Sequence, residues 1–277
     1  MPELPEVELA RATIERAALR RRIVDVDDAD TYECRPHAPG EIREALVGRT
    51  LTAAHRRGKT MWCETSGVGR SRRPGPVLGL HLGMSGRIVV SRRGGDSDEG
   101  GDRISGTGTA AGQSGRRPEW DRFTMLFADG GSLRLFDKRR LGRVRLDPEL
   151  DALGPDAQQV SVAEFRERVG RGRTAVKARL LDQSVVAGVG NLLADETLWQ
   201  ARLDPRRHVD ELSADDLTAL HHALRRSTRL AVRRGGVHTG DVISSRTSGG
   251  HCPRCGAEMQ RGTVGGRTTW WCPAEQR

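Results

Sequence analysis

Apolar residues at Val7, Ala10, Ile14 and Ala17 or Ala18 recur at helical spacing, which predicts a helix close behind the N-terminus. Beyond it the period shortens to that of strands. Leu51–His55, Thr60–Cys63, Val77–Leu82 and Arg87–Val90 are short runs separated by Gly and Pro. The clearest is Arg122–Phe127, where Phe123, Met125 and Phe127 alternate with Arg122, Thr124 and Leu126. Asp129, Gly130 and Gly131 then supply a hairpin turn before Ser132–Phe136. Strands this short and this closely spaced predict a β-sandwich-like half with flanking helices. From about Leu153 the helical period returns, in Val162–Val169, Thr174–Leu181, Asn191–Trp199 and Ala214–Arg233. Ser213-Ala214-Asp215-Asp216 reads as a capped helix start with acids in its first turn. After Gly235 the helices stop and a small cysteine module follows. The class is α+β, with a β-rich domain over residues 1–148, a helical domain over 149–243 and a hairpin module over 244–277. Residues 91–118 are almost all Gly, Ser, Thr, Arg and Asp, with too little apolar surface to offset the entropy of ordering. They read as a disordered insertion in a hairpin loop.

Two cysteines and three more divide by position. Cys34 and Cys63 fall in a loop and a strand and read as structural, whereas Cys252, Cys255 and Cys272 crowd together near the end of the chain. An odd total of five argues for metal binding rather than disulfides. No apolar run approaches the length needed to span a membrane, and the acidic N-terminus lacks the plan of a secretion signal, so the expectation is a soluble cytoplasmic protein. The net charge of +9 points to a polyanionic partner, nucleic acid first. A bias toward Arg inflates that basicity, because only Lys59, Lys138 and Lys177 are lysines. Lys is a compact donor that can titrate, which Arg cannot, so these three positions stand out.

The richest stretch for chemistry is Met1-Pro2-Glu3-Leu4-Pro5-Glu6-Val7-Glu8. Removal of the initiator Met would leave Pro2 as a secondary amine. Alpha-amino groups titrate near ~8, so a useful neutral fraction exists without special burial. Such an amine can attack an aldehyde-like carbon and form an iminium, with Glu3 and Glu6 near in sequence as acid or base. Ala187-Gly188-Val189-Gly190-Asn191 is a tight turn opening a helix, whose N–H groups could hold a phosphate. His81-Leu82-Gly83-Met84-Ser85-Gly86 puts a Met in a Gly-flanked turn. Asp137-Lys138-Arg139-Arg140-Leu141-Gly142 sets three cations beside one apolar residue. A basic turn with an apolar tip suits a protein that grips phosphates and enters a base stack. Cys252-Pro253-Arg254-Cys255, sixteen residues, then Cys272-Pro273-Ala274-Glu275 has the spacing of a zinc ribbon, with Glu275 where the fourth Cys belongs. Glu275 could ligate through oxygen, or His251 could contribute. The alternative is a metal-free hairpin held by Trp270 and Trp271, with Arg267 near its tip.

Taken in order, the octet, Arg57-Gly58-Lys59, His81–Gly86, Asp137–Gly142, Leu180-Leu181-Asp182-Gln183 through Val189-Gly190-Asn191, and the cysteine hairpin make the chain resemble the bacterial formamidopyrimidine-DNA glycosylase / endonuclease VIII family. The likeness covers nearly the whole chain apart from the insertion. It implies a helix–two-turns–helix element in the helical domain and a zinc-finger-like hairpin after it. It also implies a bifunctional base-excision repair glycosylase and lyase, a monomer associated with the nucleoid, acting on damaged double-stranded DNA. By that resemblance Pro2 attacks C1′ of the damaged nucleotide, Glu3 protonates the sugar oxygen or departing group, Glu6 supports the geometry, and Lys59 contacts a phosphate beside the lesion. Asn191 and Arg267 hold the backbone, Lys177 lies near the extruded base, and Met84, Arg139 and Leu141 fill the hole it leaves. Zinc on Cys252, Cys255, Cys272 and Glu275 is the implied cofactor. Three departures bear on substrate and metal. Leu141 stands where Phe is common, Gly240–Gly250 is shorter than the loop that purine-lesion enzymes carry, and the fourth cysteine is missing. Other readings are an enzyme preferring oxidised pyrimidines or abasic sites, and a non-catalytic damaged-DNA binder; the Pro2-Glu3 pair argues against the binder.

Overall fold

The computed structural model describes residues 2–69, 73–102 and 117–277. The chain divides into two compact units, Met1–Pro2 with Glu6–Leu150, and Glu3–Pro5 with Asp151–Arg277. In the first, α1 (Leu4–Ala17) turns Val7, Ala10 and Ile14 inward at helical spacing, with Ala18 just past its end. Then follow β1 (Ile23–Asp27), α2 (Glu41–Leu46), β2 (Leu51–Arg57), β3 (Thr60–Thr65), β4 (Leu78–His81), β5 (Arg87–Ser91), β6 (Ser97–Gly101), β7 (Asp121–Phe127), β8 (Ser132–Phe136) and β9 (Arg143–Leu146). One sheet runs β1-β7-β8-β5-β6 and the other β2-β3-β4-β9. Every pairing is antiparallel. Residues from both sheets and from α1 and α2 share one core. The sandwich-like expectation for this half holds.

The alternation in β7 does what the pattern predicts. Phe123, Met125 and Phe127 are buried, while Leu126 faces outward and is 43% exposed. Replacing either Phe by Ala would cost about 3–5 kcal/mol, the range for emptying a large core site. The hairpin turn is sealed by Asp129, whose carboxylate accepts the N–H of Gly131 at 2.9 Å. Cys34 and Cys63 are both buried, as structural cysteines should be, and burial pushes each thiol up to about 12.

Part of the expected 91–118 insertion is a regular strand. β6 has no apolar residue larger than Gly, and it is ordered by pairing with β5 from Arg87↔Gly101 to Ser91↔Ser97. Its glycines serve close approach: a Cβ on residue 100 would lie 2.3 Å from the Leu9 carbonyl oxygen of α1. Composition cannot reveal a strand of this kind. Residues 103–116 of that stretch lie outside the described residues.

Two connections between the sheets run side by side. β4 leads to β5 through residues 82–86, and β8 leads to β9 through residues 137–142. Because β4 pairs with β9 and β5 with β8, the registers His81↔Arg143 and Arg87↔Phe136 bring both turns to the same corner.

The second unit contains α3 (Val162–Val169), α4 (Val176–Leu181), α5 (Asn191–Ala201), α6 (Ala214–Arg234) and a hairpin of β10 (Gln260–Val264) and β11 (Arg267–Trp271). Ser213 and Asp216 form a reciprocal capping box on α6, and Gly235 ends it at φ 95°. The helices close on Phe165, Val176, Leu180, Leu193, Leu198, Leu220 and Leu224, and Leu4 belongs to the same core. A smaller cluster joins Trp199 of α5 and Val242 to Cys252, Met259 and Cys272 of the hairpin. No helix among the described residues is long and apolar enough to cross a membrane.

Candidate active site

Glu3 sits on the N-terminus of α5. Its carboxylate accepts three backbone N–H bonds, from Gly190 at 3.0 Å, Leu192 at 2.9 Å and Leu193 at 3.0 Å. A helix start leaves such donors without intrahelical partners and carries partial positive charge, so an anion is a natural cap there. The neighbouring Leu4 N–H donates to the Gly188 carbonyl at 3.1 Å, which fixes the chain on the same turn. The Ala187–Asn191 turn therefore binds an anion, as its N–H groups suggest, but the anion is Glu3. The donors expected for phosphate at Gly190, Leu192 and Leu193 are already engaged. Gly190 is the condition for this: a Cβ there would lie 2.3 Å from the Glu3 Cδ. The sequence of the turn suggests a phosphate site, and nothing local in it relates Gly190 to residue 3.

Pro2 immediately precedes the clamped Glu3, and Glu6 lies in the first turn of α1, buried at 2% exposure. Lys59 is in the β2–β3 turn, with Gly58 at φ 59° making the reversal. Its charge reaches His81, paired with Thr60 across the sheet. Burial, helped by Lys59 and Arg143, holds that imidazole below its usual pKa. His81 Nδ1 accepts the N–H of Gly83 at 3.0 Å, the bond of a neutral ring, and so fixes the start of the Met84 turn.

Asp137 organises the corner where the two sheet connections meet. Its buried carboxylate accepts the Ser85 hydroxyl at 2.6 Å and the N–H groups of Arg139 at 3.0 Å, Leu141 at 2.8 Å and Gly142 at 2.9 Å. One side chain thus ties the Met84 turn to the segment carrying Arg139 and Leu141. The turns also touch directly, since a Cβ on Gly83 would lie 2.4 Å from the Leu141 carbonyl carbon. The structure brings Met84, Arg139 and Leu141 to one corner, with Met84 and Leu141 half-buried and Arg139 exposed. The other cations of the turn have partners within the fold. Arg140, at φ 58°, grips Asp30 with Nε at 2.8 Å and Nη2 at 3.0 Å, and Lys138 lies 5.3 Å above the Trp120 ring.

Lys177, which the resemblance sets near an extruded base, sits in a buried ion pair. It is fully buried, with Nζ 2.6 Å from Asp195 Oδ1 and 2.7 Å from the Thr269 hydroxyl. Arg246 bonds the other Asp195 oxygen at 2.8 Å. Burial holds the Lys177 amine below its usual pKa while Asp195 pulls the other way. The lysine ties α4 to the finger because an ammonium taken out of water needs a carboxylate beside it. Asn191 joins the same seam, its amide donating to the Thr268 carbonyl at 3.0 Å. Asp195 and Arg246 escaped sequence reading. An acid at the fifth position of α5 has no visible partner until the chain folds.

On the finger, Arg267 is exposed at the start of β11, next to the tip glycines Gly265 and Gly266 at φ 58° and 70°. At the root, the sulfurs of Cys252, Cys255 and Cys272 lie within 4.8 Å of one another, and Cys255 and Cys272 are 3.4 Å apart. Zn–S bonds of ~2.3 Å in a tetrahedron place sulfurs about 3.8 Å apart, so the three thiols fit three corners of a zinc site. Burial opposes ionisation of Cys252, but the Trp199 indole N–H and nearby backbone N–H groups bring its thiol down to about 7. Glu275, expected as the fourth ligand, instead faces Arg254 at 3.4 Å and Arg202 at 3.5 Å. Both guanidiniums meet the same oxygen, Oε2. His251 also stays apart, exposed and bridged to Glu258.

Known proteins align with this geometry from end to end. Residues 1–144 match the formamidopyrimidine-DNA glycosylase N-terminal domain and residues 152–242 the H2TH domain of that enzyme. A formamidopyrimidine-DNA glycosylase of Roseiflexus sp. (strain RS-1) is 32% identical over 100% of both chains. One from Arabidopsis thaliana is 33% identical over 84% of this chain and 58% of its own. Among solved structures, Lactococcus lactis Fpg with an abasic site containing DNA matches at a TM-score of 0.78 and 27% identity over 99% of each chain. The same protein with a FAPY-dG containing DNA matches at 0.77 and 27%, over 99% of this chain and 100% of that one. The chain belongs to the formamidopyrimidine-DNA glycosylase family.

Proposed function

We propose that this protein excises oxidised bases from double-stranded DNA and cleaves the resulting abasic site, with Pro2 as the covalent amine. The observation that carries the reading is the clamped Glu3. Three N–H donors and the Gly190 approach hold one carboxylate rigidly beside the residue that supplies the nucleophile. Preset groups of this kind are what transition-state stabilisation requires. The Pro2 nitrogen bonds to C1′ as the glycosidic C1′–N bond breaks, and the base leaves with a proton. Proton delivery to O4′ then opens the C1′–O4′ bond to give the iminium, which acidifies the C2′ proton. Its removal expels the 3′ phosphate, and a second elimination expels the 5′ phosphate. Glu3 acts beside the reacting carbon, Glu6 supports it, and Lys59 neutralises a phosphate.

Removing a base from the stack costs a few kcal/mol. Met84, Arg139 and Leu141, held together by Asp137, serve as the wedge that offsets this cost. Asn191 and Arg267 contact the backbone, and Lys177 keeps the finger seated so that Arg267 can do so. Phosphate contacts give affinity without sequence preference, as a scanning repair enzyme of the chromosome needs.

The lesion preference follows from the short Gly240–Gly250 segment. It is tied down along its length, by Arg234 to Asp241 at 2.7 Å, by the Val242 N–H to Glu196 at 3.0 Å, and by Arg246 to Asp195 at 2.8 Å. A loop so tethered has little length to close over a flipped purine. Incubation with duplexes bearing single lesions, with strand cleavage read on a gel, is expected to show formamidopyrimidines and abasic sites cut ahead of 8-oxoguanine. A kinetic preference for 8-oxoguanine opposite cytosine over every other lesion would overturn the preference. Absence of cleavage on all of them would overturn the enzyme reading.

The three cysteines fit a structural zinc, which would pin the ends of the finger hairpin and supply folding energy rather than chemistry. With Glu275 held by two arginines, the site has three thiolates and an open fourth position. Glu275→Cys is expected to raise zinc retention against a chelator and to raise Tm by several degrees, as about 1 kcal/mol or more of added stability would. A wild-type protein that is metal-free, folded and active, with Tm unchanged by Glu275→Cys, would remove zinc from the account.

A further inference from the structure

Beneath the wedge lies a second acid that the reaction scheme does not use. Glu33 is 0% exposed, in the turn after β1, and neither of its carboxyl oxygens meets an N–H or O–H donor. It faces the carboxylate of Asp137, itself 0% exposed. It also abuts the wedge segment directly, for a Cβ on Gly142 would lie 2.6 Å from Glu33 Oε2. Glu33 is held in place by its backbone, which donates to Asp30 and accepts the Val144 N–H at 2.9 Å. The charged and titratable groups around it are Asp137, Asp30, Arg122, Arg140 and the Cys34 thiol. Both arginines are engaged elsewhere. Arg140 is clamped on Asp30, and Arg122 donates to the Asp137 carbonyl at 2.9 Å while lying 3.7 Å from Asp30.

We infer that Glu33 is a positioning residue of the wedge: as the neutral acid it donates its proton to Asp137, and it releases the Met84–Leu141 corner when it ionises. Two carboxylates buried face to face cannot both be charged cheaply, whereas an acid and a carboxylate share one proton well. The Asp137 carboxylate already gathers four donors from the two wedge turns, which makes it the acceptor of the pair. Burial first, then Asp137 and Asp30, push the Glu33 carboxyl up to about 8. Just above neutrality a negative charge therefore enters the pocket beside the group that ties the two turns together. The consequence is a repair enzyme whose grip on an unstacked site weakens in mild alkali. This rests on the wedge role proposed for Met84, Arg139 and Leu141.

The test uses the full chain and a duplex carrying a tetrahydrofuran abasic analogue, which presents no reactive C1′, with 2-aminopurine opposite it to report unstacking. If only the protonated form is competent, wild-type affinity falls about tenfold between about pH 7 and about pH 9, with its midpoint near 8 and a parallel loss of fluorescence. Glu33→Gln, which cannot ionise and can still donate, is expected to hold its affinity over that range. Glu33→Leu, uncharged but no donor, is expected to be weaker than Glu33→Gln and equally flat. An alkaline fall in Glu33→Gln equal to that of wild type would overturn the proposal. Leu141→Ala separates the underlying reading: fluorescence unchanged by it removes the wedge role, while the contrast between wild type and Glu33→Gln in affinity still decides the role of Glu33. Thermal stability gives a second readout free of DNA. The folded protein keeps a proton on Glu33 between the ordinary carboxylate value of 4.5 and about 8 that the unfolded chain has lost. Stability therefore falls with rising pH across that window and levels off above it. The Tm advantage of Glu33→Gln over wild type should grow through the window, and a constant difference would count against a buried neutral acid.

Discussion

Borohydride added while the protein sits on an abasic-site duplex is expected to leave a covalent protein–DNA adduct, and Pro2→Gly is expected to cut its yield by roughly 100-fold or more. That is the lower part of the range for a positioned catalytic group. The proline ring fixes the amine and makes it a secondary amine, which passes directly to a charged iminium. Glycine offers a primary amine on a flexible terminus, so trapping should weaken greatly without reaching zero. An N-terminal extension that converts the Pro2 nitrogen to an amide should abolish both trapping and strand cleavage, since an amide cannot form the iminium. Undiminished cleavage by the blocked protein would remove Pro2 from the mechanism. Binding to an uncleavable duplex is the control. It should survive either change, because the phosphate contacts proposed for Lys59 and Arg267 do not use the amine.

Much of the scaffold was legible because it obeys simple periods. Phe123, Met125 and Phe127 alternate inward as written, and Val162–Val169 is a helix with the predicted bounds. The elements that escaped are too short or too polar for a period to stand out. β1 mixes Ile23 and Val26 with three other residues, two of them acids, β6 is polar and glycine-rich, and β9 alternates arginine with Val144 and Leu146. Their pairing comes from neighbouring strands, which no window of sequence contains. The site divides along the same line. Pro2, Glu3, the Met84 turn and the cysteines were readable as chemistry because each motif is local. The partners that make them work are remote in sequence: Asp195 lies 18 positions from Lys177 and 51 from Arg246. Glu275 shows the opposite failure. Spacing names it a ligand, while its Oε2 lies in ion-pair reach of Arg202 and Arg254, two partners the spacing does not reveal.

Gly190→Ala should be nearly as damaging as loss of the amine, although residue 190 has no side chain to contribute. The added methyl would sit 2.3 Å from Glu3 Cδ and 2.6 Å from its Oε1, well inside contact distance. The carboxyl is the movable partner, because the turn is held by Gly188 N–H to Gln183 and Ala187 N–H to Pro155. Displacing it strips the start of α5 of three hydrogen bonds to a charged group. Such bonds contribute about 1.5–3 kcal/mol each, less whatever water restores, so a clear drop in Tm is expected. Base excision should fall by about 100-fold or more, since a group that must act within about 0.5 Å of its place no longer has one. Activity on a preformed abasic site should fall less, because no base has to depart there. Glu3→Gln makes a useful comparison. Its amide would turn an NH2 toward at least one of the same N–H donors, so it too should lower Tm and cannot serve as a purely chemical probe. If Gly190→Ala excised lesions at the wild-type rate with Tm unchanged, the helix-capped Glu3 would have no part in catalysis. The role of acid would then pass to Glu6.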